Sequence, residues 1–263
     1  MRIFDCFIYY DEDLILDIRL RELNKFIHKF IIVESGEDHQ GNSKKKNFNI
    51  RNFEEFKSKI EYYYFEKFPE FIKEPWKREN YQRDYLINGL KDAQSEDLII
   101  VSDVDEIPNL NFFLKKGDFN NYYVFEQKMF YYKLNLQSKT NPVWHGSKAC
   151  KKKYLKGTHW LRSLKSKKYP FWRLDKIKFK VIADGGWHFS FLKNSHDIKK
   201  KLESYAHTEY NNPYFTNLDH INYSIDNKKD LFNRNIDYEK KNIDSSFPEY
   251  IRNNKDFFKD WIL

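Results

Sequence analysis

The chain has 263 residues, of which 40% are hydrophobic and 19% aromatic, so it can bury a sizeable core and is not a disordered chain. Lys and Arg outnumber Asp and Glu by 47 to 39, which gives a formal net charge of +8. This charge favours anionic partners such as nucleotides, nucleic acid, acidic glycans or a lipid surface, although solubility alone also explains it.

The chain has two cysteines, Cys6 and Cys150, which are too few for a disulfide framework or a zinc site. The first residues lack the pattern of a signal peptide, and no apolar run approaches the ~20 residues that cross a bilayer. We therefore expect a soluble protein without a transmembrane segment, in a reducing compartment, the cytoplasm.

The first part of the chain alternates predicted strands with predicted helices. The patterns favour strands over 2–10, 29–35, 59–65 and 97–102, helices over 11–27 and 75–93, and a polar loop over 36–49. Pro75 suits the first turn of its helix. This alternation predicts an α/β fold with a Rossmann-type, mostly parallel central sheet flanked by helices.

The second part is richer in aromatic and basic residues. We expect strands over 120–137 and 178–192, the latter ending at a glycine pair, and a helical C-terminal portion with patterns over 194–210 and 247–263. Residues 148–168 carry nine basic side chains and no acidic one. Without repeats or a Gly/Ser linker, residues 1–263 are predicted to form one domain.

The sequence "SDVDEIP" places Asp103 and Asp105 where a buried strand ends. In open α/β sheets, ligands bind beyond this end of the strands. In an extended chain both carboxylates point to one side and repel unless a cation lies between them. Mg²⁺ or Mn²⁺ with a bound diphosphate fits. A turn at Ser102 or Val104 would let one aspartate coordinate directly and leave the other to a water or a ribose.

Other interpretations of these aspartates stay open. They are also compatible with simple turn acids, or with a phosphate-ester hydrolase. In dehalogenase-type phosphatases, however, the aspartate pair follows the first strand and precedes a threonine, whereas here it follows about the fourth strand and precedes Glu106 and Ile107. A nucleic-acid-binding protein would expose aromatic side chains in a basic groove, and here most aromatics lie in apolar strand patterns. We therefore expect no nucleic-acid partner.

Several segments together resemble glycosyltransferase family 17, the family of β-1,4-mannosyl-glycoprotein β-1,4-N-acetylglucosaminyltransferase. The resemblance lies in "SDVDEIP", "GGWHFSFL", "KLESYAHTEYN", "IVESGEDHQGNSKKKNF" and "FPEYIRNNKDFF", which span most of the chain. It implies a GT-A-like fold and inverting transfer of GlcNAc from UDP-GlcNAc to a glycan with Mn²⁺ or Mg²⁺. Residues 1–118 would then be the nucleotide-sugar-binding half, and 119–263 the acceptor-side half with the C-terminal helices.

The resemblance and the chemistry of the reaction suggest candidate residues. Inversion requires a base that takes the acceptor proton, for which Asp184 ranks before Glu106, with Glu209 as a third choice. Glu106 could instead begin a helix. A basic 148–168 segment would suit an anionic or lipid-linked acceptor. The candidate metal ligands are Asp103, Asp105 and His188; the candidate donor-binding residues are Glu34, Arg78, Gln82, Arg83, Asp103, Gly186 and His207; and Trp187 is the candidate acceptor-stacking residue.

Each of these candidates also has a purely structural interpretation. His188 and Trp187 could be core side chains, the first bonded to a backbone carbonyl. The role of Arg83 could be limited to an ion pair with Glu79, one helical turn away, worth ~0.5 kcal/mol. Glu34 could be a loop acid bonded to nearby backbone. His207, expected in a helix, could simply be packed or solvated.

Overall fold

The structure is a computed structural model that describes residues 1–115, 119–166, 170, 172–173 and 176–263. Four parallel strands form one half of its sheet, in the order β3-β2-β1-β4. They are β1 (Ile3–Ile8), β2 (Lys29–Ser35), β3 (Ile60–Phe65) and β4 (Leu98–Asp103). Because helices cover both faces, the two central strands read as continuous apolar runs. This Rossmann-type half is the one that the sequence predicted.

Beyond β4 the sheet becomes mixed. The remaining strands are β5 (Glu106–Pro108), β6 (Tyr122–Tyr131), β7 (Leu136–Ser138), β8 (Val143–Lys151), β9 (Phe179–Ser190) and β10 (Tyr238–Lys240). β8 pairs antiparallel with β4 and with β6, whereas β9 runs parallel to β6 and antiparallel to β5. The α/β class is confirmed, and β4 lies in the middle of the sheet with both neighbours paired.

The helices lie on the two faces of the sheet and at the C-terminal end of the chain. They are α1 (Asp13–Leu23), α2 (Pro75–Tyr85), α3 (Leu110–Leu114), α4 (Thr158–Ser163), α5 (Ser195–Ser204), α6 (Leu218–Asp226) and α7 (Glu249–Asn253). Short 3₁₀ turns occupy Ile50–Phe56, Leu86–Leu90, Lys152–Tyr154, Thr208–Tyr210 and Lys259–Trp261. Pro75 begins α2 as predicted. Within the described ranges, no helix combines the length and the hydrophobicity that a membrane crossing needs.

Strand β1 shows how the two faces of the sheet are built. Its alternate residues Ile3 and Phe7 pack in the core beneath α1, and Phe4 and Cys6 pack in the core on the other face. Asp5 points to the α1 face and is fully buried there. An acid in that position requires a partner, and the candidate site depends on which partner it has.

Several predicted elements differ from the observed ones. The strand predicted over 120–137 is divided into β6 and β7, and the helix predicted over 247–263 is limited to α7 and the 3₁₀ turn Lys259–Trp261. The glycine pair does not end β9, which continues through both glycines to Ser190 because Gly186 adopts a left-handed φ of +133° at an irregularity in the pairing with β6. The helix predicted over 194–210 ends at Ser204. Residues 167–168 of the basic segment and the predicted boundary at residue 118 lie outside the described residues. The division into halves stays a prediction.

Candidate functional site

The aspartate pair lies at the end of the central strand. β4 ends at Asp103, and a turn at Val104 and Asp105 leads directly into β5. The chain is therefore not extended between the two aspartates, and the alternative with a turn at Val104 is the one observed. Asp103 leaves 36% of its side chain exposed, whereas Asp105 leaves 12%. Because of the turn, the two carboxylates have different partners.

A buried arginine of α1 holds the backbone of this turn. Nη1 of Arg19 donates to the carbonyl oxygens of Asp103, Val104 and Glu106 at 3.1, 3.2 and 2.7 Å. The same guanidinium pairs with Asp5 through Nε and Nη2. Carbonyl groups of a turn buried away from water need such donors. Arg19 thus fixes the position of the aspartates without touching their carboxylates.

Asp103 lies between two arginines. Arg83 of α2 donates to Oδ1 at 2.8 Å, and Arg162 of α4 donates to Oδ2 at 2.9 Å. Burial alone would raise the pKa of Asp103, but Arg162 and Arg83 outweigh it and hold the pKa well below its usual range. Asp103 is therefore ionised at neutral pH. Arg83 also pairs with Glu79 at 2.8 Å, as the helical interpretation expected, but that pair is only one of its contacts.

Glu106 is fully buried in β5, and three groups donate to its carboxylate. Trp144 Nε1 and Arg162 Nη2 lie 2.7 and 2.6 Å from Oε1, and the backbone NH of Asp103 lies 3.1 Å from Oε2. The alternative in which Glu106 begins a helix is not the one observed, because Glu106–Pro108 pairs with β9 as a strand. Its contacts are those of a group that holds its neighbours in place.

Asp105 faces a histidine and a lysine from later parts of the chain. His188 Nε2 lies 3.5 Å from Oδ1, and Lys201 Nζ of α5 lies 3.6 Å from Oδ2. Burial would raise the pKa of Asp105, but His188 and Lys201 lower it below its ordinary value. Burial would likewise lower the pKa of His188, and Asp105 raises it above its ordinary value. The structure thus brings the three predicted metal ligands to one edge of the sheet.

The side chains around the aspartate turn form the aspartate cluster, which consists of Arg19, Arg83, Asp103, Asp105, Glu106, Trp144, Arg162, His188 and Lys201. Three buried nitrogen atoms in this cluster have no hydrogen-bond partner in the part of the chain that the structure describes. They are Nε of Arg83, Nε of Arg162 and Nδ1 of His188. A buried donor without a partner costs ~1–3 kcal/mol, so native structures rarely leave several in one place. The arginine donors have unused capacity for an anionic group.

The cluster does not form a closed metal cage. Among the described residues, no group of three or more His, Cys, Asp or Glu side chains is arranged to hold a metal ion. Both oxygens of Asp103 are engaged by arginines, whereas the partners of Asp105 lie beyond ordinary hydrogen-bond length. The residues fit a divalent cation that takes few protein ligands and completes its shell from substrate and water, as Mg²⁺ often does.

Comparison with known proteins identifies the family. The sequence model of glycosyltransferase family 17 matches residues 1–243, nearly the whole chain. The chain belongs to glycosyltransferase family 17. It is therefore a glycosyltransferase, an enzyme that takes a sugar donor and a glycan acceptor. No curated protein matches the sequence significantly.

Comparison with solved structures matches 2-C-methyl-D-erythritol 4-phosphate cytidylyltransferase from Francisella tularensis. It is 11% identical, with a TM-score of 0.29, and the alignment covers 57% of this chain and 73% of that one. At this similarity it adds nothing to the description of the family 17 site.

In this family 17 chain, a separate pocket of about 340 Å³ is lined by Asp184, Gly186 and Trp187. Its lining includes none of the cluster residues. Asp184 leaves 76% of its side chain exposed and lies 3.9 Å from Lys128. Trp187 is only 5% exposed, and its Nε1 donates to the carbonyl of Ser246 at 2.8 Å. The structure therefore separates the first-ranked base and the predicted stacking residue from the aspartates.

Glu34, predicted to bind the donor, is fully buried at the end of β2. Its carboxylate accepts from the backbone NH groups of Asn47 and Phe48 at 2.7 and 3.0 Å and from Tyr62 at 2.8 Å, and it pairs with Lys44. These contacts match the alternative in which Glu34 is bonded to nearby backbone. They anchor the loop that follows β2.

Two further donor candidates of α2 hold the same loop. Gln82 is buried; its Oε1 accepts from His39 Nε2 at 2.8 Å, and its Nε2 donates to the carbonyl of Val33 at 3.0 Å. Arg78 donates to the carbonyl of His39 at 3.2 Å. Gln82 and Arg78 thus connect α2 to the loop, while Arg83, which directly follows Gln82, reaches Asp103.

His207 lies outside the helix in which it was predicted. It precedes the 3₁₀ turn Thr208–Tyr210, and its Nδ1 is 2.8 Å from Glu209 Oε1. Its ring meets the exposed indole of Trp76 edge to face, with centroids 4.7 Å apart. His207 and Glu209 are therefore partners of each other at the surface.

Four residues of the cluster were missing from the sequence-based candidates: Arg19, Trp144, Arg162 and Lys201. Arg162 belongs to the basic segment and Lys201 to a lysine run, both of which resemble solvated surface in sequence. Arg19 carried a usable signal, because it is a single arginine between Ile18 and Leu20, on a helix whose neighbours are buried. Trp144 follows an ordinary strand pattern, which gives no hint of its location.

Proposed function

We propose that this family 17 enzyme is a metal-dependent inverting transferase with a GT-A-like fold. In this proposal it transfers GlcNAc from UDP-GlcNAc to a glycan. The location of the cluster supports the proposal, because it lies at the carboxyl ends of parallel strands, where open α/β sheets bind nucleotides. The donor nucleotide and sugar follow from the family resemblance.

The observation that carries the proposal is the arrangement of charge around the aspartate turn. Arg83, Arg162 and Lys201 converge there from three elements, and each of the two arginines leaves a buried Nε without a partner among the described residues. Transfer of the sugar leaves a nucleoside diphosphate, whose negative charge grows as the bond breaks. Preorganised cations and NH donors stabilise such charge.

A bound Mn²⁺ or Mg²⁺ would add Lewis-acid stabilisation of the departing diphosphate. Asp105 is the residue most suited to hold it, because no arginine occupies its oxygens, and His188 is beside it. Asp103, which two arginines already hold, is better suited to orient those arginines or to contact the ribose. Lys201 would be free to pair with a phosphate once a metal ion occupied Asp105.

For the acceptor proton, the two proposed bases differ in their contacts. Asp184 has an exposed carboxylate that can accept a proton, whereas the oxygens of Glu106 already take three hydrogen bonds. Asp184 lies at a separate pocket, so it can be the base only if the acceptor hydroxyl and the donor sugar meet there; on that condition we keep it as the proposed base, and we assign Glu106 a positioning role. A transferase assay on Asp184→Asn and Glu106→Gln separates the two, since only loss of the base leaves binding intact while kcat falls.

An anionic or lipid-linked acceptor receives limited support from the basic segment. Lys151 and Lys153 pair with Glu96 at 2.7 and 2.6 Å, and Arg162 pairs with Asp103 and Glu106. Three of the seven basic residues in its described part therefore have acidic partners within the chain. We propose a glycan acceptor without a requirement for negative charge.

Thermal shift tests the donor and the metal together. UDP and UDP-GlcNAc with Mn²⁺ should raise Tm, whereas Mn²⁺ alone or UDP with a chelator should raise it less, and GDP should be the weaker nucleotide. Asp105→Asn should abolish the dependence on metal. Asp256→Asn, an exposed carboxylate near the C-terminus, is the matched control and should behave as wild type. Equal Tm values under all conditions would contradict the proposal.

A further inference from the structure

An exposed tryptophan lies at the rim of the aspartate cluster. Trp144 is in β8 and leaves 42% of its surface exposed, although large aromatic side chains usually bury most of theirs. Single exposed apolar residues are ordinary on protein surfaces. Trp144 differs because its indole NH and its ring both contact residues of the cluster.

Two contacts hold the indole in place. Its Nε1 donates to Oε1 of Glu106 at 2.7 Å, and its ring meets the imidazole of His188 with centroids 5.5 Å apart and planes at 47°. Glu106 is itself fixed by Arg162, and His188 faces Asp105. The ring is therefore oriented before any ligand arrives, and it loses little further side-chain freedom when one binds.

We propose that Trp144 is a sugar-binding platform, on whose exposed ring the apolar face of a pyranose packs at the point of transfer. This inference rests on the proposed function and adds to it the surface that receives the sugar. The C–H groups of a pyranose face suit an aromatic ring, and its hydroxyl groups find polar partners at Asp105 and His188. Sites for small polar ligands commonly combine such an apolar wall with a few fixed polar groups.

Two other tryptophans suit this role less well. Trp187 is 5% exposed and lies at the separate pocket, so its ring has little free surface. Trp76 is 46% exposed, but it lies at the start of α2 against His207 rather than against the aspartate turn. Trp144 combines an exposed ring with direct contact to Glu106 and His188.

The indole NH of Trp144 provides a direct measurement. The chain has six tryptophans, so a ¹⁵N-labelled sample gives up to six indole signals, and the one that Trp144→Phe removes belongs to Trp144. The titrations use Mg²⁺ with UDP, with UDP-GlcNAc, and with UDP plus the methyl glycosides of glucose, galactose, mannose and GlcNAc. We expect the Trp144 signal to move more with a sugar present than with UDP and Mg²⁺ alone.

The separate titrations identify the source of the sugar. A larger movement with UDP-GlcNAc than with UDP places the donor sugar on Trp144, and a movement with a methyl glycoside places the acceptor sugar there. Trp144→Ala should lower the affinity for whichever sugar moves the signal by roughly tenfold, as expected for the loss of an aromatic contact. Trp144→Phe, which keeps a ring, should lose less sugar affinity than Trp144→Ala. Tyr223→Ala, at an exposed position on α6, should bind the sugar as wild type does.

The outcomes also separate this inference from the proposed function. If UDP with Mg²⁺ raises Tm but the Trp144 signal moves with none of the sugars, the inference is wrong and the transferase proposal stands. If UDP has no effect on Tm while a methyl glycoside moves the Trp144 signal, the sugar platform stands and the proposed donor is wrong. Equal sugar affinity of wild type and Trp144→Ala also overturns the inference.

Discussion

Arg19 and Asp5 form an ion pair in which both side chains are fully buried. Nε and Nη2 of Arg19 lie 2.8 and 2.6 Å from the two carboxylate oxygens of Asp5, in the bidentate geometry that suits a guanidinium. The third nitrogen, Nη1, holds the carbonyl groups of the aspartate turn. The position of the candidate site therefore depends on a pair of charges beneath the sheet.

Removal of Arg19 should destabilise the whole protein. Arg19→Met leaves Asp5 charged and unpaired in the core and three turn carbonyls without a donor, and we expect a loss of about 3–5 kcal/mol in the free energy of unfolding. Arg21→Met is the matched control, because Arg21 is on the same helix and its ion pairs with Asp17 and Glu55 are partly exposed and worth about 0.5 kcal/mol each. Urea unfolding measures both. Equal losses in the two variants would contradict this account.

Gly186 allows β5 and β9 to approach each other closely. Its φ is +133°, and a Cβ there would lie 2.1 Å from the carbonyl oxygen of Ile107, so Gly186→Ala should cost roughly 2–3 kcal/mol. Gly157→Ala is the control: Gly157 has an extended φ, and its Cβ would lie 3.5 Å from Asp84 Oδ1, an ordinary van der Waals distance. It should change stability by less than ~0.5 kcal/mol. The urea midpoints of the two variants decide whether backbone geometry fixes this position.

Because of Lys148, the free energy of unfolding should increase as the pH rises above about 8. Its ammonium donates to carbonyl groups at the end of α4, and burial together with Arg162 lowers its pKa from 10.5 to about 8. Between these values the unfolded chain holds a proton that the folded chain has released, so the free energy of unfolding increases with pH. The gain over Lys148→Met should reach about 3 kcal/mol by pH 10.5. A difference between the two proteins that stays constant from pH 7 to 10.5 would contradict the shift.

The sequence predicted those parts of the site that depend on local pattern. An apolar run followed by acids identified β4 and the aspartate turn, because a buried strand and its polar end leave a continuous signature. Arg162 and Lys201 were not predicted, since their roles depend on helices that pack at the same sheet edge from far along the chain. Sequence alone does not distinguish such a cation from a solvated one.

The same reasoning explains the separation of Asp184 from the aspartates. The glycine pair indicated a close backbone approach, which the structure shows between Gly186 and Ile107. The pairing of β9 with β5 decides which pocket lies next to the glycine pair. This pairing joins segments about eighty residues apart. The turn at Val104 was one of several alternatives for the same reason, because the Arg19 contacts that hold it come from α1.

The pair formed by Arg162 and Glu106 tests whether Glu106 positions other groups or accepts a proton. If it positions, Arg162→Met and Glu106→Gln should each destabilise the protein, and the double variant should lose less than their sum by ~1–3 kcal/mol, because the pair is lost only once. If Glu106 is the base, Glu106→Gln should lower kcat by roughly a hundredfold or more without a matching loss of stability. Urea unfolding and a transferase assay on the same four proteins distinguish these outcomes. Additive stability losses combined with a selective fall in kcat would return Glu106 to the role of base, whereas a non-additive loss supports the positioning role that its three hydrogen bonds indicate.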